Sequence, residues 1–284
     1  MRGAASGPLA LRPVIEKDEF LERHLTPTLA RAGAERQGER ALRVLSPLAL
    51  LALWEGLVRA HVLDARFFPA PSAIAASFAE FAGSGALASN LGITLERILA
   101  GLLLGGVPGV AIGLLIGINR WARALLEPLV ALLYPIPKIA LIPLVLLIFG
   151  LGEAGKYALI AIGVFFIMVI NTEAGVRQIE PALLEAARAF RLRTRALYAR
   201  VLLPAALPNV FAGLKLSIGI AIVLAVAAEL RAANSGLGFV IWNSWETLQV
   251  ERMYAALVVV SLLGYALSLA GDALERLALP WRGK

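Results

Sequence analysis

Cysteine is absent from this chain, and only two histidines, His24 and His61, stand among its 284 residues. A disulfide framework is thereby excluded, and no spacing that could hold zinc is present, so neither a metal nor a cofactor is expected. Charge is also scarce. Asp, Glu, Lys and Arg make up 17% of the chain against 59% hydrophobic residues, and mean hydropathy is +0.78. An ordinary soluble domain is about 45–50% apolar, so the composition points to a membrane protein. The net charge of +7 does not indicate nucleic acid, because the cations gather at the ends of apolar runs, where membrane topology accounts for them. Residues 1–25 hold no uninterrupted apolar core of the kind a cleavable signal needs. The first 43 residues, which mix acids and bases, are expected to stay in the cytoplasm.

What is abundant is apolar sequence in long runs. A helix needs about 20 mostly apolar residues to cross a hydrocarbon core, and six candidates occur near 46–62, 93–118, 124–149, 157–175, 206–230 and 254–273. The fold class expected is all-α, a polytopic membrane protein of six transmembrane helices with both termini on one side. The first segment is short and carries Glu55 four residues before Arg59, a spacing that lets the two pair on one helix face. Arginines concentrate before the first span, after the second (Arg120, Arg123), after the fourth and after the sixth, whereas the other loops hold only Arg66, Lys156, Arg231 and Arg252. The positive-inside rule makes the arginine-rich side cytoplasmic.

Three stretches carry more than topology. Gly101, Gly105, Gly109, Gly113 and Gly117 recur every four residues and line one helix face. Such a row suits close helix packing in lipid, with a glycine-lined permeation path as the alternative. "YPIPKIALIP" sets Pro135, Pro137 and Pro143 around Lys138, so the third span is expected to kink or break. Lys138 then faces a polar path or reaches to the interface. "GLGEAGKY" has the glycines and lysine of a phosphate loop but puts Tyr157 where a magnesium-binding hydroxyl is needed. It reads as a turn between spans.

Between Val176 and Leu203 the sequence is helical in pattern but too charged for the membrane. Pro181 suits a first helical position, "ALLEAARAF" continues with helix formers, and Thr194 can cap a second short helix that Pro204 interrupts. The arginines of this loop either anchor it to anionic headgroups or flank a docking surface. For docking, Ala186, Ala187 and Ala189 leave a shallow face beside Glu185. Beyond the fifth span, Glu229 and Arg231 precede a turn-rich stretch, Asn234 to Gly238, which reads as part of a delivery mouth or as an interfacial turn with a local ion pair.

Glu185-Ala186-Ala187, followed at an interval by Val201-Leu202-Leu203-Pro204, resembles the EAA signature of permease subunits from binding-protein-dependent ATP-binding-cassette importers. The likeness covers roughly residues 64 to 275 and is nearest to permeases for aliphatic sulfonates, taurine and nitrate. It includes "FPAPS", "ALIPLVLLIFG", "PALLEAARAF" and "AELRAANSGLGF". Arg191 departs from the pattern, which usually has glycine there, a residue suited to a left-handed turn.

The resemblance implies a type I importer permease fold. Residues 1–43 would form a cytoplasmic segment, 44–88 a first transmembrane helix and outer loop, 89–273 the permease core, and 274–284 a cytoplasmic tail. It implies no chemistry in this chain, hence no catalytic residue. Cytoplasmic ATP-binding-cassette ATPase subunits would grip a coupling loop of Glu185, Ala186, Ala187, Arg191, Leu203 and Pro204, and a periplasmic solute-binding protein would deliver a small anion. Two permease chains, expected to be identical, would enclose the path in the bacterial inner membrane, in contact with lipid, with Pro137, Lys138 and Glu229 as candidate path residues. The competing class is a secondary transporter driven by an ion gradient, which needs ionisable groups at depth. Glu55, Lys138, Lys215 and Glu229 are its candidates.

Overall fold

A computed structural model describes residues 45–190 and 192–280. The expected segment 1–43 and Arg191 lie outside these residues. The described chain falls into two units, the first ending at Ala65 and the second running from Arg66.

In the first unit, residues 45–59 form a helix, α1. At 15 described residues it extends about 22 Å, short of a hydrocarbon core, so the expected span 46–62 is not seen at full length. The helix ends where His61 adopts a left-handed φ of 57°. Glu55 and Arg59 pair at 2.7 Å as their spacing predicts.

The second unit contains α2 (Pro71–Gly83), α3 (Ala86–Ile118), α4 (Arg120–Leu133), a 3-10 turn (Lys138–Leu141), α5 (Ile142–Phe149), α6 (Glu153–Arg177) and α7 (Pro181–Ala189). It continues with α8 (Thr194–Leu197), a π turn (Tyr198–Leu202), α9 (Leu203–Ala232), α10 (Leu237–Glu246) and α11 (Val250–Ala278). Four continuous helices are long and apolar enough to cross a membrane: α3, α6, α11 and the run Tyr198–Ala232. The bent pair Arg120–Leu133 and Lys138–Phe149, whose halves meet at 90°, makes a fifth if it counts as one broken span. The described residues thus hold four such helices, or five crossings with the bent pair counted as one, and the sixth expected crossing is not confirmed among them.

The glycine row on α3 is a packing seam. A methyl group at Gly109 would lie 2.9 Å from the Phe165 carbonyl oxygen, and one at Gly113 would lie 2.7 Å from that of Val169. Gly101 and Gly117 face the side chains of Ile160 and Val176, so α3 and α6 run parallel, with backbones in close approach at Gly109 and Gly113. Parallel neighbours require a return, and residues 119–152 supply it. Gly163 packs on Leu224 and Gly175 on Asn209, which makes α9 antiparallel to α6. Gly271 facing Ile218 sets α11 antiparallel to α9. The core between α3, α6 and α9 is Ile98, Ile160, Val164, Met168, Ala221, Leu224 and Ala225.

The break in the third span follows its prolines. Tyr134 ends α4, and Lys138 donates to the carbonyls of Leu133, Tyr134 and Ile136 at 3.1, 2.7 and 2.8 Å. Its ammonium group also stands 4.7 Å from the Phe166 ring centre. The Leu133 carbonyl also accepts from the Ile136 N–H at 3.3 Å, so Lys138 supplements that bond and serves the Tyr134 and Ile136 carbonyls at the break, where an unpaired carbonyl is expensive in lipid.

Pro204 does not interrupt the next helix. The preceding turn widens into a π turn in which the Leu203 N–H donates to the Tyr198 carbonyl, and the chain runs on into α9 with Pro204 in its first turn. The wider turn relieves the clash between a proline ring and the carbonyl four residues back.

Candidate functional site

The helices place two groups of side chains at opposite ends of the bundle. One end carries α7 and the π turn. Leu184 of α7 packs on a cluster of Leu114, Val176, Ile179, Leu202 and Ala206, which ties the short helix to the ends of α3, α6 and α9 together. Leu202 is 1% exposed and Ala206 0%. Glu185, Ala186 and Ala189 are exposed, whereas Ala187 is 5% exposed. The shallow outer face expected of three alanines is therefore made by Ala186 and Ala189, and Ala187 packs inward. Leu183 and Phe190 add exposed apolar surface, with Phe190 80% exposed. Leu203 and Pro204 are half-buried.

Ion pairs hold the helices at this same end. Arg177 reaches Glu127 at 3.0 Å and Glu173 at 2.8 Å. Lys215 of α9 lies 2.6 Å from Asp272 and 2.5 Å from Glu275 of α11. Lys215, a candidate for binding a coupling ion, thus bridges two helices.

The other end holds a buried charge cluster that centres on Arg97, a residue the sequence reading did not single out. Its guanidinium donates to both carboxylate oxygens of Glu153 at 2.7 Å, to Glu229 at 2.8 Å, and to the Ser235 carbonyl at 2.8 Å. A further bond of 3.2 Å goes to the Ser235 hydroxyl. The side chains of Arg97 and Glu229 are 1% and 0% exposed. Glu229 also accepts from the Thr94 hydroxyl at 2.9 Å and from the Gly238 N–H at 2.8 Å. Lys156 adds a second cation, 3.1 Å from Glu153. Two cations and two carboxylates balance, as buried charge requires.

Glu229 touches no open space in this arrangement, and the ion pair expected with Arg231 is replaced by the one with Arg97. Arg231 lies over the Trp242 ring, 4.9 Å from its centre. The half-exposed Glu153 opens on a cleft of about 430 Å³ lined by Arg97, Lys156, Arg231 and Ser235. "GLGEAGKY" forms a turn and the start of α6, with Lys156 turned into the cluster.

Asn90, Thr94 and Arg97 share one face of α3 at spacings of four and three. Their partners are consecutive: the Gly236 N–H donates to Asn90 at 2.7 Å, and the Leu237 N–H to Thr94 at 2.8 Å. With Gly238 on Glu229, side chains accept from three consecutive N–H groups at the opening of α10. Gly236 has a φ of 103°, a left-handed value that favours glycine. The stretch read as turn-rich is thus a short turn and a helix start, pinned from below.

A bundle of long apolar helices in close glycine-mediated contact, with the short helix α7 emerging between two of them, is the architecture of a polytopic membrane protein. The family of binding-protein-dependent transport system inner membrane components matches residues 109–280. A protein of Bacillus subtilis (strain 168) named as an aliphatic sulfonates transport permease, SsuC, is 35% identical over 84% of this chain and 87% of its own. The Escherichia coli (strain K12) protein of the same name is 36% identical over 83% and 89%. The Escherichia coli taurine transport system permease protein TauC is 30% identical over 83% and 87%. A chain of the MetNI methionine ABC transporter in an inward facing conformation superposes with a TM-score of 0.58 at 23% identity, over 65% of this chain and 92% of that one, and shows the shared fold.

The chain belongs to the binding-protein-dependent transport system inner membrane component family. It is a multi-pass permease subunit of an ATP-binding-cassette importer, performs no catalysis, and works with ATPase and solute-binding partners.

Proposed function

We propose that this permease carries a small organic anion of the sulfonate class across the bacterial inner membrane, as one of two identical copies in contact with lipid. The relatives named for aliphatic sulfonates and taurine support the cargo. The arginine bias of the loops supports cytoplasmic termini and an outer location for the Arg97 end. In the same reading, residues 1–43 and 274–284 flank the first helix and the permease core, 89–273.

The single observation that carries the coupling mechanism is the seating of α7. Leu184 lies on a cluster shared by the ends of α3, α6 and α9, while Glu185 and Ala186 face outward. An ATPase gripping Glu185 and Ala186 moves α7, and the displacement passes through Leu202 and the π turn at Leu203 and Pro204 into the 35-residue run Tyr198–Ala232. Arg191 belongs to the same handle by its place in the chain. A rigid helix transmits such displacement end to end, so the path alternates between outward and inward access. Pro137 and Lys138 form the wall of that path at the broken span, and Glu229 acts from behind the mouth.

The test is Glu185→Lys in the permease copurified with its ATPase subunits. Radiolabelled taurine uptake per ATP hydrolysed should fall sharply, or the ATPase should be lost from the complex. Wild-type coupling in this variant would overturn the assignment.

A further inference from the structure

The Arg97 cluster belongs to neither the coupling loop nor the broken span, yet it buries more charge than any other group among the described residues. Four separate pieces of chain converge on it. Arg97 comes from α3, Glu153 from the first turn of α6, Glu229 from the last turns of α9, and Ser235 from the turn before α10. Their hydrogen bonds run between residues 56, 132 and 138 positions apart. A buried guanidinium with five such contacts has no freedom to reorient, and its planar fork fixes the angle between its partners.

We infer that Arg97 is the positioning residue of the outer mouth: it clamps α10 to the joint end of α3, α6 and α9, so that the segment facing the cargo moves with the helices that the cytoplasmic loop drives. The inference rests on the importer reading given above. Three features support it. The N–H groups of Gly236, Leu237 and Gly238 are each held by a side chain of the cluster face, Asn90, Thr94 and Glu229, so α10 is tethered through its backbone. Gly236 and Gly238 admit no side chain, since a methyl group at Gly238 would lie 2.6 Å from the Val226 carbonyl oxygen. Glu229 and the coupling loop sit at opposite ends of the same helical run, so a tether at Glu229 delivers the motion of that run to α10.

A stabilising role alone would be served by any well-packed apolar substitute, because exchanging a buried ion pair for neutral groups is often tolerated, whereas breaking it on one side is not. That difference gives the test. The chain has no cysteine of its own, so Ala154→Cys on α6 and Asn243→Cys on α10, both exposed, accept spin labels without further change. The complex is examined in lipid nanodiscs for thermal midpoint and label-to-label distance distribution, and in proteoliposomes for ATP-driven uptake of taurine as probe.

Arg97→Gln and Glu229→Gln alone should lower the thermal midpoint, each leaving a buried charge uncompensated, and the double variant should recover much of it. The distance distribution of the double variant should nevertheless broaden, and uptake should fall about tenfold, within the range by which residues along a coupling route act. Should the double variant fold poorly, Thr94→Val with Ser235→Ala removes tethers and leaves the ion pairs, and broadening is again expected. A wild-type distribution in either variant overturns the inference, and so does full uptake by a double variant with a broadened distribution. Absence of taurine uptake in the parent chain speaks against the cargo reading alone, and the distance distribution still decides the clamp.

Discussion

At the scale of single residues, burial separates groups that look alike in sequence. Glu229 and Glu185 are both carboxylates at helical positions, yet one is fully enclosed with Arg97 and Thr94 and the other is exposed. Their roles divide accordingly into holding and being held. The core also contains polar atoms that nothing satisfies: the Thr172 hydroxyl, on a fully buried side chain, has no hydrogen-bond partner. Replacing it by a group of the same shape without the hydroxyl removes a desolvated donor, so Thr172→Val should leave stability unchanged or raise it by about 1 kcal/mol. A thermal midpoint in detergent reads this, and a fall of several degrees would show that Thr172 has a partner after all. The row Asn90, Thr94, Arg97 was visible in the sequence as polar positions on one helix face. What it binds was not, because Glu229 lies 132 residues from Arg97 and one sequence records no pairing.

At the scale of elements, the legible features were those that a local rule governs. Glycines at every fourth position gave the α3–α6 seam, and three prolines around Lys138 gave the broken span, since each acts through its own backbone. Pro204 misled for the same reason. Read alone it ends a helix, but the π turn before it absorbs the clash. Span limits came within a few residues for α6 and α11, whereas α2 lies inside the stretch 44–88 expected as first helix and outer loop and α10 starts within the turn-rich stretch Asn234 to Gly238, because helices of 13 and 10 residues lack the length that identifies a crossing. The junction between α7 and α9 rests on Leu202, 1% exposed. Truncating a leucine in such a setting costs about 2–5 kcal/mol. Leu202→Ala should therefore raise hydrogen exchange across residues 181–203 while α6 stays protected. Unchanged exchange there would show that the loop is held by other contacts.

At the scale of the whole molecule, the bundle has two worked ends joined by one long helical run. Near Glu185 a short helix is seated on the ends of three crossings. Near Arg97 a balanced charge cluster fastens α10 to the same helices. The family and the fold account for an importer permease, and the membership was legible because the EAA stretch and its companions are local motifs. The sixth expected crossing is not confirmed, because the first apolar segment yields only 15 described helical residues. Everything in the account turns on the α7 end facing the cytoplasm, where an ATPase can reach it. The most direct measurement uses the absence of native cysteine: Ala186→Cys as the sole thiol, treated with a membrane-impermeant maleimide. The account predicts no labelling in intact spheroplasts, labelling in inverted vesicles, and protection there when the ATPase subunits are bound. Labelling of Cys-substituted Ala186 in intact spheroplasts would contradict it.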